Sequence, residues 1–210
     1  SHAIGVKTIA IGTGSKAAGL NTRAEGFGSH AEGHGTSAAG DYSHAEGSGS
    51  LAIGVSSHAE GMLTEANGAF SHTEGYYTTT TVTATGSHAE GWYTTTEGEY
   101  SHAEGSSTLA FGGGSHAEGS GSTTLGQFSH AEGLRTTAQG NYSHAEGTNT
   151  LAIGLYSHAE GSGSTAQGAA SHAEGLKTTA EGPYSFAAGD TTYAVGTGSI
   201  ALGSQTLSAG

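Results

Sequence analysis

The sequence contains no cysteine, one proline and only five lysine and arginine residues among its 210 residues. The absence of cysteine excludes disulfide bonds and thiolate metal sites. Five scattered basic residues cannot form the positive stripe that binds a nucleic-acid backbone, so no nucleic-acid partner is expected. No run approaches the roughly 18 apolar residues of a membrane helix, and no stretch resembles a signal peptide. Direct membrane insertion of this segment is therefore not expected.

Hydrophobic residues are also scarce, at 33% of the chain, whereas glycine is abundant, with 39 residues. Such a composition usually indicates disorder, because the burial of so little apolar surface cannot offset the entropy lost on folding. Two features argue against disorder here. Proline, which disordered glycine-rich segments favour, is nearly absent, and 13 histidines accompany the 18 acidic residues. The glycine content instead follows from an internal repeat.

A seven-residue repeat runs through the whole chain and divides it into 30 units. The first position of every unit is Ser or Thr, the third is Ala in 25 units, and the fifth is Gly in 29. One unit, residues 78–86, has nine residues, which we interpret as a strand followed by an extended turn at 83–86. A coiled coil is excluded, because each heptad would carry a glycine that costs a helix about 1 kcal/mol and would lack two large apolar residues.

Each unit predicts a short β-strand and a two-residue turn, since small and variable residues alternate with period two. Two units form a coil of 14 residues, and about 15 stacked coils form a solenoid. Positions 1, 3 and 5 face inward because only small residues fit between closely packed strands, and positions 2 and 4 face outward. The core of such a solenoid is thin, so we expect one outward face to pack against other chains.

The units SHAIG, TIAIG, SLAIG, TLAIG and SIALG resemble the head repeats of trimeric autotransporter adhesins of the YadA type. The resemblance covers essentially the whole chain. It implies an all-β fold, a left-handed parallel β-roll, assembled as a homotrimer on a bacterial cell surface or appendage. It also implies adhesion to host matrix or cells. The chain departs from the family in its dominant unit, SHAEG, where the family carries a hydrophobic SVAIG.

We expect residues 1–210 to form a single β-roll domain that is an excerpt of a longer fibrous protein. The expected function is non-enzymatic projection from a surface and multivalent attachment, with the homotrimer and a host ligand as partners and no cofactor. Similar repeats occur in phage-derived fibres, so a purely structural fibre of a phage tail, spore or surface appendage is the alternative. An ice-binding solenoid is a more remote alternative, suggested by threonine-rich strands.

Histidine and glutamate recur two positions apart in eleven units, in pairs that we call the His–Glu ladder. The pairs are His30 and Glu32, His44 and Glu46, His58 and Glu60, His72 and Glu74, His88 and Glu90, His102 and Glu104, His116 and Glu118, His130 and Glu132, His144 and Glu146, His158 and Glu160, and His172 and Glu174. They fall on one strand of each coil. A column of glutamates alone would repel itself, so the histidines are expected to supply compensating donors.

Three interpretations of the ladder are open. In the first, it faces the trimer axis and forms a buried polar network with neighbouring chains. In the second, it faces solvent, and the trimer forms through apolar pairs of the other strand, such as Leu51 and Ile53. The third is metal binding, which we do not expect because His and Glu on one strand do not close a ligand set. Catalysis is not expected either, since an active site needs one preorganised constellation rather than eleven copies.

Aromatic residues mark two corners of the predicted coil. One corner carries seven, which predict a hydrophobic seal: Tyr42, Phe70, Tyr100, Phe128, Tyr142, Tyr156 and Tyr184. The other corner carries two aromatic pairs on successive coils, Tyr76 with Tyr77 and Trp92 with Tyr93, on either side of the nine-residue unit. This aromatic patch, beside a protruding loop, is the candidate binding site of the chain. Packing between chains is the alternative interpretation of the patch.

Overall fold

The computed structural model describes residues 1–209, which form only β-strands and turns. The chain divides into two compact units, Ser1–Ser107 and Thr108–Gly210. In each unit the five-residue strands form one parallel sheet and the two-residue strands form another. We call these the long-strand sheet and the short-strand sheet. The described residues contain no helix long and apolar enough to span a membrane.

The long-strand sheet of the first unit contains β1 (His2–Val6), β3 (Lys16–Leu20), β5 (His30–His34), β7 (His44–Ala45), β9 (His58–Met62), β11 (His72–Tyr76), β13 (His88–Trp92) and β15 (His102–Ser106). Its short-strand sheet contains β2 (Ile9–Ala10), β4 (Arg23–Ala24), β6 (Ser37–Ala38), β8 (Leu51–Ala52), β10 (Glu65–Ala66), β12 (Thr79–Thr80) and β14 (Thr95–Thr96). Strand β7 belongs to this long-strand sheet although only two of its residues are in strand conformation.

The long-strand sheet of the second unit contains β17 (His116–Ser120), β19 (His130–Leu134), β21 (His144–Thr148), β23 (His158–Ser162), β25 (His172–Leu176), β27 (Phe186–Asp190) and β29 (Ile200–Ser204). Its short-strand sheet contains β16 (Leu109–Ala110), β18 (Thr123–Thr124), β20 (Thr137–Ala138), β22 (Leu151–Ala152), β24 (Thr165–Ala166), β26 (Thr179–Ala180), β28 (Tyr193–Ala194) and β30 (Leu207–Ser208).

The strand register follows the sequence repeat, so that equivalent residues of successive turns lie side by side. His130 pairs with His144 and Glu132 with Glu146, 14 residues apart. The predicted 14-residue coil of a parallel β-solenoid is therefore confirmed. Consequently every outward side chain has the same residue type above and below it wherever the unit is repeated.

The core lies between the two sheets and consists of small side chains, as predicted. Alanines at position 3, such as Ala131 and Ala145, are fully buried. Most serines and threonines at position 1 are buried as well. Buried hydroxyls need partners, and several of these serines donate to the carbonyl oxygen three residues earlier. Ser143 donates in this way to Gly140 at 2.6 Å, which ties each turn to the strand that follows it.

Threonine replaces alanine at position 3 in several short strands, and there it forms hydrogen bonds across the core. The hydroxyl of Thr80 donates to that of Ser71 at 2.8 Å, and the hydroxyl of Thr124 donates to that of Ser115 at 2.8 Å. The extra methyl and hydroxyl groups are therefore accommodated by partners on the neighbouring strand.

Glycine at position 5 of the long strands is required by close contact between turns. Gly133 has a φ of 110°, and a Cβ added there would overlap the carbonyl oxygen of Gly147. The second turn residue, at position 7, is left-handed even where it is not glycine, as at Tyr142 with a φ of 56°. Glycine thus permits both the left-handed backbone and the small spacing between turns.

The nine-residue unit corrects one prediction from the sequence. The extended turn expected at 83–86 is not the inserted segment. Ala84 is fully buried and takes the place of the position-5 glycine, since Ser87 donates to its carbonyl at 2.7 Å as the equivalent serines do to glycine. The two extra residues are Val82 and Thr83, and Val82 is 75% exposed. The two extra residues protrude from the solenoid before the turn, because hydrogen bonds to the neighbouring turns fix the conformation of the turn itself.

Candidate functional site

The aromatic patch is a continuous cluster of four rings on the first unit. Tyr76 at the end of β11 pairs with Trp92 at the end of β13, and their rings lie 4.4 Å apart between centroids. Tyr77 and Tyr93 follow these strands in the turns, and their rings stack at 5.0 Å with an interplanar angle of 6°. The repeat places the two pairs on successive turns, which is why the four rings meet.

The outer rings of the patch are accessible to a ligand. Trp92 is 54% exposed, Tyr93 47% and Tyr77 41%, whereas Tyr76 is half-buried beneath them. Tyr76 contacts Tyr77 edge-on at 4.6 Å between centroids. Burial and the neighbouring tyrosines raise the pKa of Tyr76, so its hydroxyl is protonated at neutral pH. The patch is therefore an uncharged surface of aromatic carbon with phenolic hydroxyls.

The patch extends one turn further in the direction of the N-terminus. Met62 pairs with Tyr76 across β9 and β11, and Met62 and Leu63 are both exposed. Exposed apolar side chains therefore lie on three successive turns at this corner.

The inserted residues do not adjoin the patch, contrary to the expectation of an aromatic surface beside a protruding loop. The loop belongs to the corner after β12, where the Gly86 amide donates to the Ala69 carbonyl at 2.9 Å. The ring of Tyr100 lies beside Gly86 at that same corner. The patch lies at the corner before β12. Strand β12 separates the two features, so the patch must be considered without the loop.

The histidines of the His–Glu ladder form columns of stacked rings on the long-strand sheet. In the first unit, the rings of successive turns from His30 to His102 stack at 4.6–4.9 Å between centroids. In the second unit, those from His116 to His172 stack at 4.6–4.9 Å. This stacking follows directly from the in-register strands.

Each glutamate lies beside the histidine column at a nearly constant distance. Nε2 of His58 lies 3.6 Å from Oε2 of Glu60 in its own turn and 3.9 Å from Oε1 of Glu46 in the preceding turn. Nε2 of His172 has the same two neighbours, Glu174 at 3.8 Å and Glu160 at 3.6 Å. These separations are too long for hydrogen bonds.

Burial within the column keeps several histidines neutral. Desolvation, together with the neighbouring histidines, lowers the pKa of five of them: His44, His72, His88, His130 and His158. At neutral pH these rings carry no charge, so they do not compensate the glutamate column electrostatically.

In the first unit, the repulsion within the glutamate column is reduced because neighbouring glutamates share protons. Desolvation and hydrogen bonds to the adjacent glutamates raise the pKa of Glu60 and of Glu90 to about 7. The same hydrogen bonds lower the pKa of Glu74, and they lower that of Glu46 against the opposing effect of burial. Below about pH 7, protonated and ionised carboxyls therefore alternate along this stretch, which reduces the repulsion between neighbouring turns.

The ladder also brings together atoms that are able to ligate a metal ion. One nitrogen each from His58 and His72 and one carboxylate oxygen from Glu60 lie within 4.8 Å of one another. The same holds for His144, Glu146 and His158. The sequence pattern identified two ligands on one strand, whereas stacking adds a third from the adjacent turn. The 14-residue spacing was the signal from which this contact could have been anticipated.

The aromatic residues of the sealing corner pack along the edge of the solenoid. Rings of Phe128, Tyr142 and Tyr156 stack at 5.5 and 5.1 Å between centroids on successive turns. A Cβ added at Gly114 would meet the ring of Phe128, so this ring covers the glycine of the turn before it. These contacts agree with a structural role for this corner.

Comparison with known families identifies the repeat. A family model described as the YadA head domain repeat, in two copies, matches residues 3–29, 31–57, 45–62, 103–129, 131–157, 159–185 and 180–206. The matched segments cover well over half of the chain. No curated protein matches it.

Proposed function

The chain belongs to the family of YadA head domain repeats, and we propose on that basis that it is the non-enzymatic head of a trimeric adhesin. In this proposal the head projects from a bacterial cell surface or appendage and attaches to host matrix or cells. Three chains with the same surface bind through several weak contacts at once, so a modest affinity per contact yields firm attachment.

The long-strand sheet is the face through which we expect the chains to associate. Its outward positions carry the His–Glu ladder, and beyond the ladder they carry apolar residues. Ile4 is 53% exposed in the first unit, and Ile200 and Leu202 are 61% and 56% exposed in the second. Apolar residues at such positions resemble the hydrophobic repeats of the family, and their burial between chains would supply the energy that the thin core lacks.

The aromatic patch is the proposed attachment surface. Rigid, exposed aromatic rings provide contact area at a small cost in side-chain entropy, and they are enriched among residues that dominate binding energies. The observation that carries this assignment is the cluster of Tyr76, Tyr77, Trp92 and Tyr93, in which three rings are exposed on a chain otherwise dominated by Gly, Ser, Thr and Ala.

The experiment compares the attachment and the molar mass of two double variants. Trp92→Ala with Tyr77→Ala removes half of the patch, and Tyr142→Ala with Tyr156→Ala removes two exposed rings of the sealing corner as a matched control. We expect the patch variant to remain trimeric and to lose attachment to extracellular-matrix proteins and cultured cells, and the control to retain both properties. Loss of the trimer with attachment unchanged would show that the patch packs between chains. A wild-type trimer that attaches to none of these surfaces would contradict the adhesin function and favour a structural fibre.

A further inference from the structure

The His–Glu ladder has a property that attachment does not use, because histidine nitrogens repeatedly lie within 4 Å of the carboxylate oxygens of two turns, as at His58 and His172. We propose that the ladder binds divalent transition-metal ions such as Zn²⁺ between successive turns, with each ion held by one histidine and by glutamates of two turns. This departs from the expectation from the sequence, which counted only the ligands of a single strand.

Two fully defined examples lie in different units of the chain. In the first unit, Nε2 of His58 lies between Oε1 of Glu46 and Oε2 of Glu60, at 3.9 and 3.6 Å. In the second, Nε2 of His172 lies between Oε1 of Glu160 and Oε2 of Glu174, at 3.6 and 3.8 Å. The two sites therefore share one ligand set, a histidine nitrogen and two carboxylate oxygens.

These separations fit a metal ion better than they fit a hydrogen bond. Two ligands that each lie about 2.1 Å from a tetrahedral Zn²⁺ are roughly 3.4 Å apart. The observed distances are longer by only a few tenths of an ångström, a difference that rotation of a half-exposed glutamate removes. A water molecule or a side chain of a neighbouring copy would complete four-coordination.

The histidine nitrogens are directed into the ladder and not toward water. Nε2 is shielded from solvent and has no hydrogen-bond partner in nine of the ladder residues: His30, His44, His58, His72, His88, His130, His144, His158 and His172. A buried polar atom without a partner is costly, and its repetition on turn after turn calls for a ligand. Imidazole nitrogen and carboxylate oxygen together suit Zn²⁺, Ni²⁺ or Cu²⁺ better than Mg²⁺ or Ca²⁺, which prefer oxygen ligands alone.

The consequence for the protein is a cross-link along the sheet. Each ion would connect the glutamate of one turn to the histidine and glutamate of the next, and would neutralise part of the formal charge of −13. Metal-bound chains would therefore resist thermal separation of their turns more than metal-free chains do.

The test is calorimetric titration of the EDTA-treated chain of 210 residues with ZnCl₂, with CaCl₂ as the comparison. We expect several Zn²⁺ ions per chain, a higher melting temperature with Zn²⁺, and no comparable effect of Ca²⁺. X-ray absorption at the zinc edge should show nitrogen and oxygen neighbours at about 2.0–2.2 Å. Absence of Zn²⁺ binding would overturn the proposal.

The variants locate the binding. His130→Gln, His144→Gln, His158→Gln and His172→Gln combined should lower the number of Zn²⁺ ions bound per chain, because each of these histidines lies within 4 Å of a carboxylate oxygen. His2→Gln with His34→Gln is the matched control, because neither histidine has a glutamate two positions later. Glu160→Gln with Glu174→Gln keeps every histidine and should lose the site at His172 and the neighbouring site at His158, which also uses Glu160. Unchanged stoichiometry in the histidine and glutamate variants would contradict the proposal. If the wild type bound zinc as a monomer, the proposed trimer would be refuted and the proposed zinc sites would not. The experiment therefore distinguishes failure of the trimeric head from failure of the zinc sites.

Discussion

The carboxyl groups of Glu60 and Glu74 lie on adjacent turns, share a hydrogen bond and have pKa values shifted in opposite directions. One carboxyl thus holds the proton that the other accepts. A parallel solenoid with identical residues in register creates this arrangement, because it stacks like charges at the spacing of neighbouring strands. The acidic column is therefore compatible with a stable fold, and its protonation makes that stability depend on pH.

The first prediction concerns this pH dependence in metal-free protein. Glu60 and Glu90 have pKa values raised to about 7, so their stabilising contribution is complete below about 4.5 and is lost as pH rises through 7. Glu60→Gln with Glu90→Gln mimics the protonated form at every pH. We expect the melting temperature of the wild type to fall between pH 5 and pH 8 by more than that of the variant. Glu97→Gln, at an exposed position directly after β14, should leave the wild-type profile unchanged.

At acidic pH the stability changes in the opposite direction, because it decreases as the pH falls. Histidines with a lowered pKa, such as His72 and His88, contribute stability above 6.5 that is lost as pH falls through their folded-state pKa. Glu74, whose pKa is also lowered, acts in the same direction at lower pH. The wild-type melting temperature should therefore have a maximum between about pH 5 and pH 7. A melting temperature that only rises or only falls from pH 3 to pH 9 would contradict these two opposing contributions.

The second prediction concerns the spacing of turns. Gly133→Ala introduces a Cβ that overlaps the Gly147 carbonyl and forces a φ of 110° on alanine. We expect a loss of more than about 2 kcal/mol in the free energy of unfolding. Gly121→Ala is the control, since its φ is 69° and its Cβ would lie 3.5 Å from the nearest side chain. It should cost only about 1 kcal/mol. Equal losses in chemical denaturation would contradict the close contact between turns.

The third prediction concerns the hydroxyl groups of the core. Thr124→Val keeps the shape of the side chain but removes the hydrogen bond to Ser115 and should destabilise the chain by about 1–2 kcal/mol. Thr123→Val makes the same chemical change on the outward side of the same strand, where we expect a change within about 0.5 kcal/mol. Urea denaturation measures both values. A neutral Thr124→Val would mean that the buried hydroxyl has no stabilising role.

The fourth prediction tests the position of the insertion. Deletion of Val82 and Thr83, with Ala84→Gly, restores a seven-residue unit and should preserve the fold and the melting temperature. Deletion of Thr85 and Gly86 removes the turn itself and should lower the melting temperature strongly, because Thr85 accepts a hydrogen bond from the Tyr100 amide. If the first deletion lowered the melting temperature more than the second, the inserted residues would lie within 83–86.

The fold could be predicted from the sequence because a fixed repeat of small residues leaves few alternatives. Glycine at position 5 and alanine at position 3 determined the strand, the turn and the inward face. The inserted residues were misplaced because Val82 occupies position 5 in the count along the chain, whereas in space Ala84 replaces the glycine. The contact of His58 with Glu46 was missed for a similar reason, since it joins turns and not neighbours in sequence. Proton sharing between Glu60 and Glu74 depends on the burial of each carboxyl group, which the repeat pattern of the sequence does not predict.

The molar mass of the chain in solution tests the proposed trimeric head most directly. It is measured by light scattering during gel filtration. The wild type should have three times the 20.6 kDa mass of one chain. Ile200→Arg with Leu202→Arg, on the long-strand sheet, should lower the mass. Leu151→Arg with Ile153→Arg, in β22 of the short-strand sheet and directly after it, should leave the chain trimeric. A monomeric wild type would contradict the trimeric head. Dissociation by the second pair alone would show that the chains associate through the opposite sheet.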